Sequence, residues 1–271
     1  MTRRVRAPVG RPLRRCFGLF GCWLALMSLG AHAECSRPGE ALLAIIIDDL
    51  GYSLERGVAV AELPAPITLS IIPGTPHAPA IAELGSRWGK ELMVHMPMTS
   101  SHSPVADPMV LTEHLTDNSF DWMIDQALAA VPGARGMNNH MGSGLTRNRE
   151  VMARLMDRLK HWQLYFVDSR TTANTVAAEM AQAAGIPHAS RSVFLDHDQG
   201  FEAVSQRIAA AVSEARRTGA AVAIGHPHRE TLDALAHALP KLPDDLTLVP
   251  ASRIAGCGRD QRLTSMPRDA K

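Results

Sequence analysis

Residues 42–51 read LLAIIIDDLG, an apolar run that ends in two adjacent carboxylates and a glycine. A continuous run of this kind is typical of a strand buried on both faces of a parallel sheet. Asp48 and Asp49 then stand at the end of that strand, where paired carboxylates are unfavourable unless a cation neutralises them. In the alternative, one acid caps the next helix and the other is solvated. Residues 51–53 already supply a turn and a cap, so the sequence favours a functional pair.

Further apolar runs follow, separated by stretches with helical periodicity. Residues 150–162 carry apolar side chains at helical spacing, and residues 201–217 do so ahead of Gly219, a favourable C-cap. Strands that alternate with helices predict a mainly parallel sheet covered on both faces. Seven or eight such units favour an α/β fold of the distorted (β/α) barrel type, and an open doubly wound sheet is the alternative. The predicted strands are residues 42–47, 67–72, 91–96, 135–138, 164–167, 192–195, 220–224 and 246–249.

The first 33 residues have the layout of a secretory signal peptide. Residues 1–15 hold six arginines and no acid, residues 16–30 are apolar, and residues 31–33 read AHA, which fits an A-x-A cleavage site. The apolar run is shorter than the roughly 20 residues of a membrane span, so an uncleaved anchor is the less favoured alternative. We therefore expect cleavage near Ala33, a periplasmic or secreted protein, and no membrane span in the mature chain.

Cleavage changes the charge and the cysteine content of the chain. Of 28 basic residues six are lost and all 27 acids stay, which gives a net charge of about −5 (22 − 27). No basic stripe with interleaved aromatic residues remains, which argues against a nucleic-acid partner. Residues 34–258 can form one β/α domain, followed by a polar tail at 259–271. Cys35 and Cys257 are the remaining cysteines, and both a disulfide and two free thiols are open alternatives.

Ionisable side chains recur where the predicted strands end. In a β/α barrel those ends form the face that carries catalysis. One carboxylate and two imidazoles are a usual ligand set of a catalytic zinc, with a fourth place left for water. The turn around His140 is rich in small and amide residues, which suits a backbone exposed to a ligand. The side chains at the strand ends are Asp48, Asp49, His95, His140, Asp168, Asp196 and His226.

The later strand ends allow more than one interpretation. His226 titrates near neutral pH and is suited to protonate a leaving amine, but a third metal ligand or a structural histidine are alternatives. Asp168 and Asp196 either orient a histidine or bind sugar hydroxyls, or they cap helices. The sequence has no serine nucleophile elbow, Walker loop or dinucleotide glycine motif, so covalent catalysis and nucleotide chemistry lack support. Residues 99–114 are predicted to form a loop over the barrel mouth.

Five ordered segments together resemble the divergent polysaccharide deacetylase family across most of the mature chain. The segments are residues 46–51, 95–98, 138–143, 166–171 and 224–227. This family is related to the NodB-homology deacetylases, which remove N- or O-acetyl groups from chitin-like or peptidoglycan sugars on a distorted barrel, using a divalent metal that is often zinc. The resemblance therefore implies a zinc-dependent hydrolase of C–N or ester bonds that acts on an acetylated envelope polysaccharide.

The resemblance also implies roles for individual residues. Asp48 matches the family's catalytic base, and His226 matches its general acid. Asp49 matches the metal-binding aspartate, and His95 matches the first metal-binding histidine.

Two features depart from the pattern of the related deacetylases. Thr99 stands where a second ligand histidine would follow His95, so His140 is the candidate replacement. The arginine-proline-tyrosine oxyanion motif is missing, and Asn138, Asn139 and backbone amides near Gly142 are the candidate substitutes, which would contact the substrate or hold a neighbouring site residue in place.

These departures leave other functions open. The retained base and acid favour an active deacetylase, whereas the missing motifs favour a catalytically inactive protein that binds an envelope glycan or a partner on the same barrel. A third alternative is another metal hydrolase, acting on a different amide or on a phosphoester.

Overall fold

The computed structural model describes Thr2 and residues 40–264, with side chains through residue 257. The predicted signal peptide, Cys35 and most of the polar tail lie outside the described residues. Within residues 40–264, no helix is both long and apolar enough to span a bilayer. The strands are β1 (Ala41–Leu50), β2 (Thr68–Ile71), β3 (Glu91–Met98), β4 (Gly136–Met141), β5 (Tyr165–Asp168), β6 (His188–Ser190), β7 (Val193–Phe194), β8 (Ala220–Gly225) and β9 (Leu246–Leu248).

Helices connect most of these strands. Ser53 caps the first helix by accepting a hydrogen bond from the Arg56 amide, and Gly219 ends the sixth helix in a left-handed conformation, as the sequence predicted. The helices are α1 (Leu54–Ala61), α2 (Ala78–Arg87), α3 (Asp117–Ala130), α4 (Arg149–His161), α5 (Ala177–Ala184), α6 (Phe201–Thr218), α7 (Arg229–Ala238) and α8 (Ala251–Thr264).

The strands form one parallel sheet that curls into an incomplete barrel. The strand order is β6-β5-β4-β3-β2-β1-β8-β7, and β9 pairs with the first residues of β1. The two outer strands of this order, β6 and β7, are neighbours in sequence, and the chain crosses from one to the other. The Arg191 amide donates to Asp168 O at the end of β5, and the Ser192 amide donates to Val222 O on β8. The predicted distorted (β/α) barrel is thus confirmed, and the doubly wound alternative is wrong.

The strand ends differ from the prediction where local sequence is least informative. The eight predicted strands are present, but β6 was missed because its three half-buried residues form no apolar run. The fourth strand continues through His140 to Met141, because it pairs with β3 as far as Met98. The last helix continues past Gly258, where the sequence placed the end of the domain. Cys257 on this helix is disulfide-bonded, and the other three cysteines of the chain lie outside the described residues.

The strands are buried on both faces, as their apolar runs predicted. One set of buried strand residues packs with helices α1 to α7 on the outside of the sheet. The alternate residues, such as Ile46, Met93 and Ile224, pack with each other and with α8 on the inside of the curled sheet. Because side chains alternate along a strand, the polar residues two positions beyond Ile46, Met93 and Ile224 also face inward.

Candidate metal centre and cleft

Strand periodicity brings three of the predicted site residues to the inside of the barrel at its carboxyl edge. Asp48 follows Ile46 by two residues, and His95 and His226 follow inward-facing residues of β3 and β8 in the same way. Asp49 would face outward in a regular strand. However, the β1–β2 register shifts between Ile47 and Leu50, and Asp49 adopts a left-handed φ of 56°. This local distortion turns both adjacent carboxylates toward one site.

Asp49, His95 and His140 meet at the point that the sequence predicted. Asp49 Oδ1 lies 3.2 Å from His95 Nε2 and 2.9 Å from His140 Nδ1, and the two ring nitrogens are 3.1 Å apart. Ligand atoms held ~2.0–2.2 Å from one tetrahedral or octahedral ion lie about 2.8–3.6 Å from each other. The three residues therefore fit the coordination of a single divalent cation.

The state of Asp49 agrees with this fit. Its Oδ1 atom is buried and has no hydrogen bond of regular geometry. Burial alone would raise the pKa of Asp49, but the imidazoles of His140 and His95 outweigh it and hold that pKa well below its usual range. A buried carboxylate oxygen facing two imidazole nitrogens is an arrangement that a bound cation would satisfy.

Asn138 orients His95 from behind the candidate metal site. His95 Nδ1 lies 2.8 Å from Asn138 Oδ1, which also accepts a hydrogen bond from Ser70 Oγ. Since the amide oxygen can only accept, His95 carries its proton on Nδ1, and Nε2 presents its lone pair to the site. Asn138 Nδ2 donates to Asp48 Oδ1 at 2.8 Å, so one buried amide holds both the candidate ligand and the candidate base.

A loop residue that sequence reasoning missed orients His140. Asp107 Oδ2 lies 3.2 Å from His140 Nε2, and Tyr52 Oη donates to Asp107 Oδ1 at 2.6 Å. Burial and the Asp107 carboxylate raise the pKa of Tyr52 to about 12, so it remains a donor. Asp107 belongs to the predicted loop, which a bridge between Met98 and Leu111 fastens to β3. The sequence carried no periodic signal that would relate a loop acid to a particular strand end.

Asp196 orients His226. Its Oδ1 lies 3.0 Å from His226 Nδ1, and its Oδ2 accepts hydrogen bonds from the His226 amide and from Thr231 Oγ1. His226 Nε2 points toward Asp49, with 3.6 Å to Oδ2. Although burial lowers the pKa of His226, the carboxylates of Asp196, Asp49 and Asp48 raise it to about 9. In the metal-free protein, His226 is therefore protonated at neutral pH.

Asp196, His226 and His228 are also near enough to one another to be considered as metal ligands. This second group fits a cation less well than the first. Both carboxylate oxygens of Asp196 already accept hydrogen bonds, and His226 Nδ1 faces the carboxylate directly. An orienting carboxylate–histidine pair accounts for this geometry without a metal.

Two other predicted site residues shape the strand ends, and one of them, Asn139, also lines the cleft. Asn139 Oδ1 accepts from the Ser169 amide, and its Nδ2 donates to Met141 O, so it joins the ends of β4 and β5. Asp168 accepts from the Arg170 amide and from a threonine hydroxyl, as a turn-capping residue does. The expected oxyanion role of Asn138 and Asn139 gains no support, because both amides are engaged in the protein.

A cavity of about 480 Å³ opens at this edge of the barrel, within the size range of small-ligand sites. The candidate ligands, Asp48 and His226 all lie on its wall. Three of the four described non-glycine residues with positive φ also line it: Asp49, Met141 and Arg170, with φ of 56°, 52° and 51°. Such backbone strain is retained mainly where function requires it. The carboxyl edge is therefore the candidate functional site.

The fold and the site thus define a β/α barrel with a candidate metal centre at its carboxyl edge. The model of the divergent polysaccharide deacetylase family matches residues 45–255, and the chain belongs to this family. The resemblance found in the sequence motifs is confirmed.

A curated relative and two solved structures illustrate the family and its fold. Uncharacterized protein YibQ from Escherichia coli is 37% identical over 243 residues, which cover 90% of this chain and 74% of the relative. Uncharacterized protein ATU2773 from Agrobacterium tumefaciens superimposes with a TM-score of 0.75 at 19% identity, covering 79% of this chain and 88% of that one. The catalytic domain of the peptidoglycan N-acetylglucosamine deacetylase from Eubacterium rectale superimposes with a TM-score of 0.50 at 14% identity, covering 80% of this chain and 92% of that one. Both structures share the barrel fold.

Proposed function

We propose that this protein is a metal-dependent hydrolase that removes acetyl groups from an envelope polysaccharide. The observation that carries the proposal is the convergence of Asp49, His95 and His140 at 2.9–3.2 Å, next to a buried carboxylate and a carboxylate-oriented histidine. We assign the three converging side chains as ligands of a divalent cation, and the two-nitrogen, one-oxygen donor set favours zinc. When bound, such a cation polarises an acyl carbonyl and acidifies water.

Asp48 is placed to act as the general base. Its side chain is almost fully buried, and Asn138 holds its Oδ1. The second oxygen, Oδ2, lies 3.6 Å from His95 Nε2 and accepts no hydrogen bond from the described residues, so it remains available beside the ligand cluster. Asp48 Oδ2 takes the proton of the water that attacks the acyl carbon.

His226 is placed to act as the general acid. Asp196 holds its Nδ1, so the proton on Nε2 faces the cleft. When the bond from the acyl carbon breaks, this proton goes to the leaving nitrogen or oxygen of the sugar. The products are acetate and a free amine or hydroxyl. Asp48 then releases its proton to solvent, and His226 takes up a proton from solvent, so both side chains return to their starting states.

A catalytically inactive glycan-binding protein is the second candidate. The side-chain amides of Asn138 and Asn139 are engaged within the protein, and the arginine-containing motif of the related deacetylases is absent, so neither of these groups stabilises an oxyanion in the cleft. In this candidate function the cleft binds an envelope glycan and does not hydrolyse it. A metal hydrolase of another amide or of a phosphoester would use the same ligands.

We also propose export to the periplasm or beyond. Residues 1–33 match a signal peptide, and Cys257 is disulfide-bonded, a state that oxidising compartments favour.

Acetate release from acetylated glycans by the zinc-loaded protein tests the proposal. We expect release by the wild-type protein and a loss of at least about 100-fold in Asp48→Asn, with metal content unchanged. Asp244→Asn removes an exposed acid far from the cleft and serves as the control, which should retain full activity. Metal-loaded wild-type protein that binds acetylated glycans and releases no acetate would select the binding function instead.

A further inference from the structure

Two arginine side chains on the cleft wall have no acidic partner among the described residues. Arg170 follows β5 and Arg191 follows β6, so the two lie at the ends of adjacent strands. Neither forms an ion pair within residues 40–264, whereas seven other described arginines, Arg87 among them, pair with a carboxylate. Arg191 is partly removed from water, where a charged group is normally paired, so the guanidinium groups on this wall are suited to bind an anion.

The guanidinium of Arg191 is held in a fixed orientation. Its Nε donates to Ser169 O at 2.7 Å, and its Nη2 donates to Arg170 O at 2.9 Å. The ring of Phe194 covers one face, with 5.0 Å from Cζ to the ring centroid. Nη1 has no acceptor among the described residues, so this end of the guanidinium group can donate hydrogen bonds to a ligand. Because backbone carbonyl groups and not an ion pair hold this guanidinium group, its orientation is prepared before any anion binds.

Arg170 adds a second positive charge to the same wall. It is exposed, and its left-handed φ of 51° is maintained by its amide, which donates to Asp168 Oδ1. Burial and the neighbouring charge of Arg170 lower the pKa of Arg191 by more than the carboxylates of Asp168 and Asp48 raise it. The net effect on Arg191 is unfavourable in the free protein, and an anion beside the two guanidinium groups would relieve it.

The charges on the cleft wall also favour an anionic ligand. Asp48 and Asp49 are the carboxylates on its wall, and a divalent cation at the candidate metal centre matches their two negative charges. The guanidinium groups of Arg170 and Arg191 form an ion pair with neither of these carboxylates, and the nearby Asp168 is engaged by an amide and a hydroxyl. A neutral acetylated sugar would leave these charges without a partner.

We propose that Arg170 and Arg191 form an anion-binding subsite, and that the glycan substrate carries a negatively charged group close to the acetyl group that is removed. This inference rests on the proposed function and names its substrate class: an acidic glycan whose carboxylate or phosphate group binds the arginine pair. Guanidinium groups bind both anions through paired hydrogen bonds, so the shared chemistry is that of a planar or tetrahedral oxyanion.

Equilibrium binding to zinc-loaded Asp48→Asn protein tests the subsite without requiring hydrolysis. Three acetylated oligosaccharides of equal length are compared: a neutral one, one bearing a carboxylate, and one bearing a phosphate. Arg170→Gln removes one charge without deleting a side-chain hydrogen bond, and Arg87→Gln removes an equal charge from an exposed position on α2. Arg191→Lys keeps the charge but loses the planar guanidinium group and its paired hydrogen-bond donors.

We expect one of the acidic oligosaccharides to bind at least about tenfold more tightly than the neutral one. Arg170→Gln and Arg191→Lys should each remove most of this preference, whereas Arg87→Gln should retain it. Equal binding of all three glycans, or equal losses in Arg170→Gln and Arg87→Gln, would overturn the subsite. Loss of acetate release from every glycan in the wild-type protein would instead refute the hydrolase, while selective binding of the acidic glycan would still support the subsite.

Discussion

Asp107 Oδ2 lies 3.2 Å from His140 Nε2, so a residue of the long β3–α3 loop sets the orientation of a side chain from β4. The contact places a carboxylate opposite His140 Nε2, while His140 Nδ1 lies 2.9 Å from Asp49 Oδ1. Tyr52 in turn holds the other oxygen of Asp107. The loop is therefore part of the candidate metal centre, although it contributes none of the three converging ligand atoms.

Asp107→Asn should weaken zinc binding about 10- to 100-fold, because a neutral amide orients the imidazole poorly and makes it a weaker ligand. Tyr52→Phe should cause a smaller loss in the same direction. Competition with a chromophoric chelator measures both affinities, with Asp244→Asn as the matched control. An affinity of Asp107→Asn equal to that of the control would show that the loop plays no part in metal binding.

The candidate ligands also predict a metal-dependent stability. Zinc that binds the native state alone raises the free energy of unfolding, by about 2.7 kcal/mol when its concentration is 100 times the dissociation constant. Chelation should therefore lower Tm, and added zinc should restore it. His95→Gln should lose this response, whereas His161→Gln, which removes an exposed histidine from α4, should keep it. A zinc-dependent rise in Tm that persists in His95→Gln would contradict the assigned site.

Strand periodicity made part of this site predictable from the sequence. Asp48 and His95 each lie two residues beyond an inward-facing apolar residue, so a correct assignment of β1 and β3 is sufficient to bring them together. The parallel sheet then fixes the common edge at which their side chains meet. His140 was found by its composition and its place after a predicted strand, although it lies within β4.

The remaining parts of the site depend on geometry that has no local sequence signal. Asp49 faces the cleft only because the backbone takes a left-handed conformation at a register shift. Asp107 comes from a loop, and Arg191 follows a three-residue strand without an apolar pattern. In each case the position of the side chain follows from tertiary contacts of the backbone, which residue periodicity does not encode.

Gly136 allows β4 to lie against the ring of Tyr165. A methyl group at Gly136 would come within 2.4–2.6 Å of three ring carbons of Tyr165, whose hydroxyl donates to Glu91. Gly136→Ala should therefore lower the free energy of unfolding by about 1–3 kcal/mol, measured by chemical denaturation. At Gly256 an added methyl group meets nothing within 4 Å, so Gly256→Ala should be neutral or slightly stabilising. Equal stabilities of the two variants would argue against close packing of β4 on Tyr165.

The raised pKa of His226 gives the metal-free protein a specific pH dependence. Because the pKa of His226 is raised from 6.5 in the unfolded chain to about 9 in the folded protein, the protonated side chain stabilises the native state. That contribution is complete below about pH 6.5 and is lost as the pH rises through about 9. Asp196→Asn removes the hydrogen-bonded carboxylate, so the pKa of His226 should fall and the free energy of unfolding should change less over this interval. Chemical denaturation between pH 6 and 10 measures the difference, with Asp244→Asn as the control that should follow the wild type. A pH profile of Asp196→Asn that coincides with that of the control would show that Asp196 does not set the charge of His226.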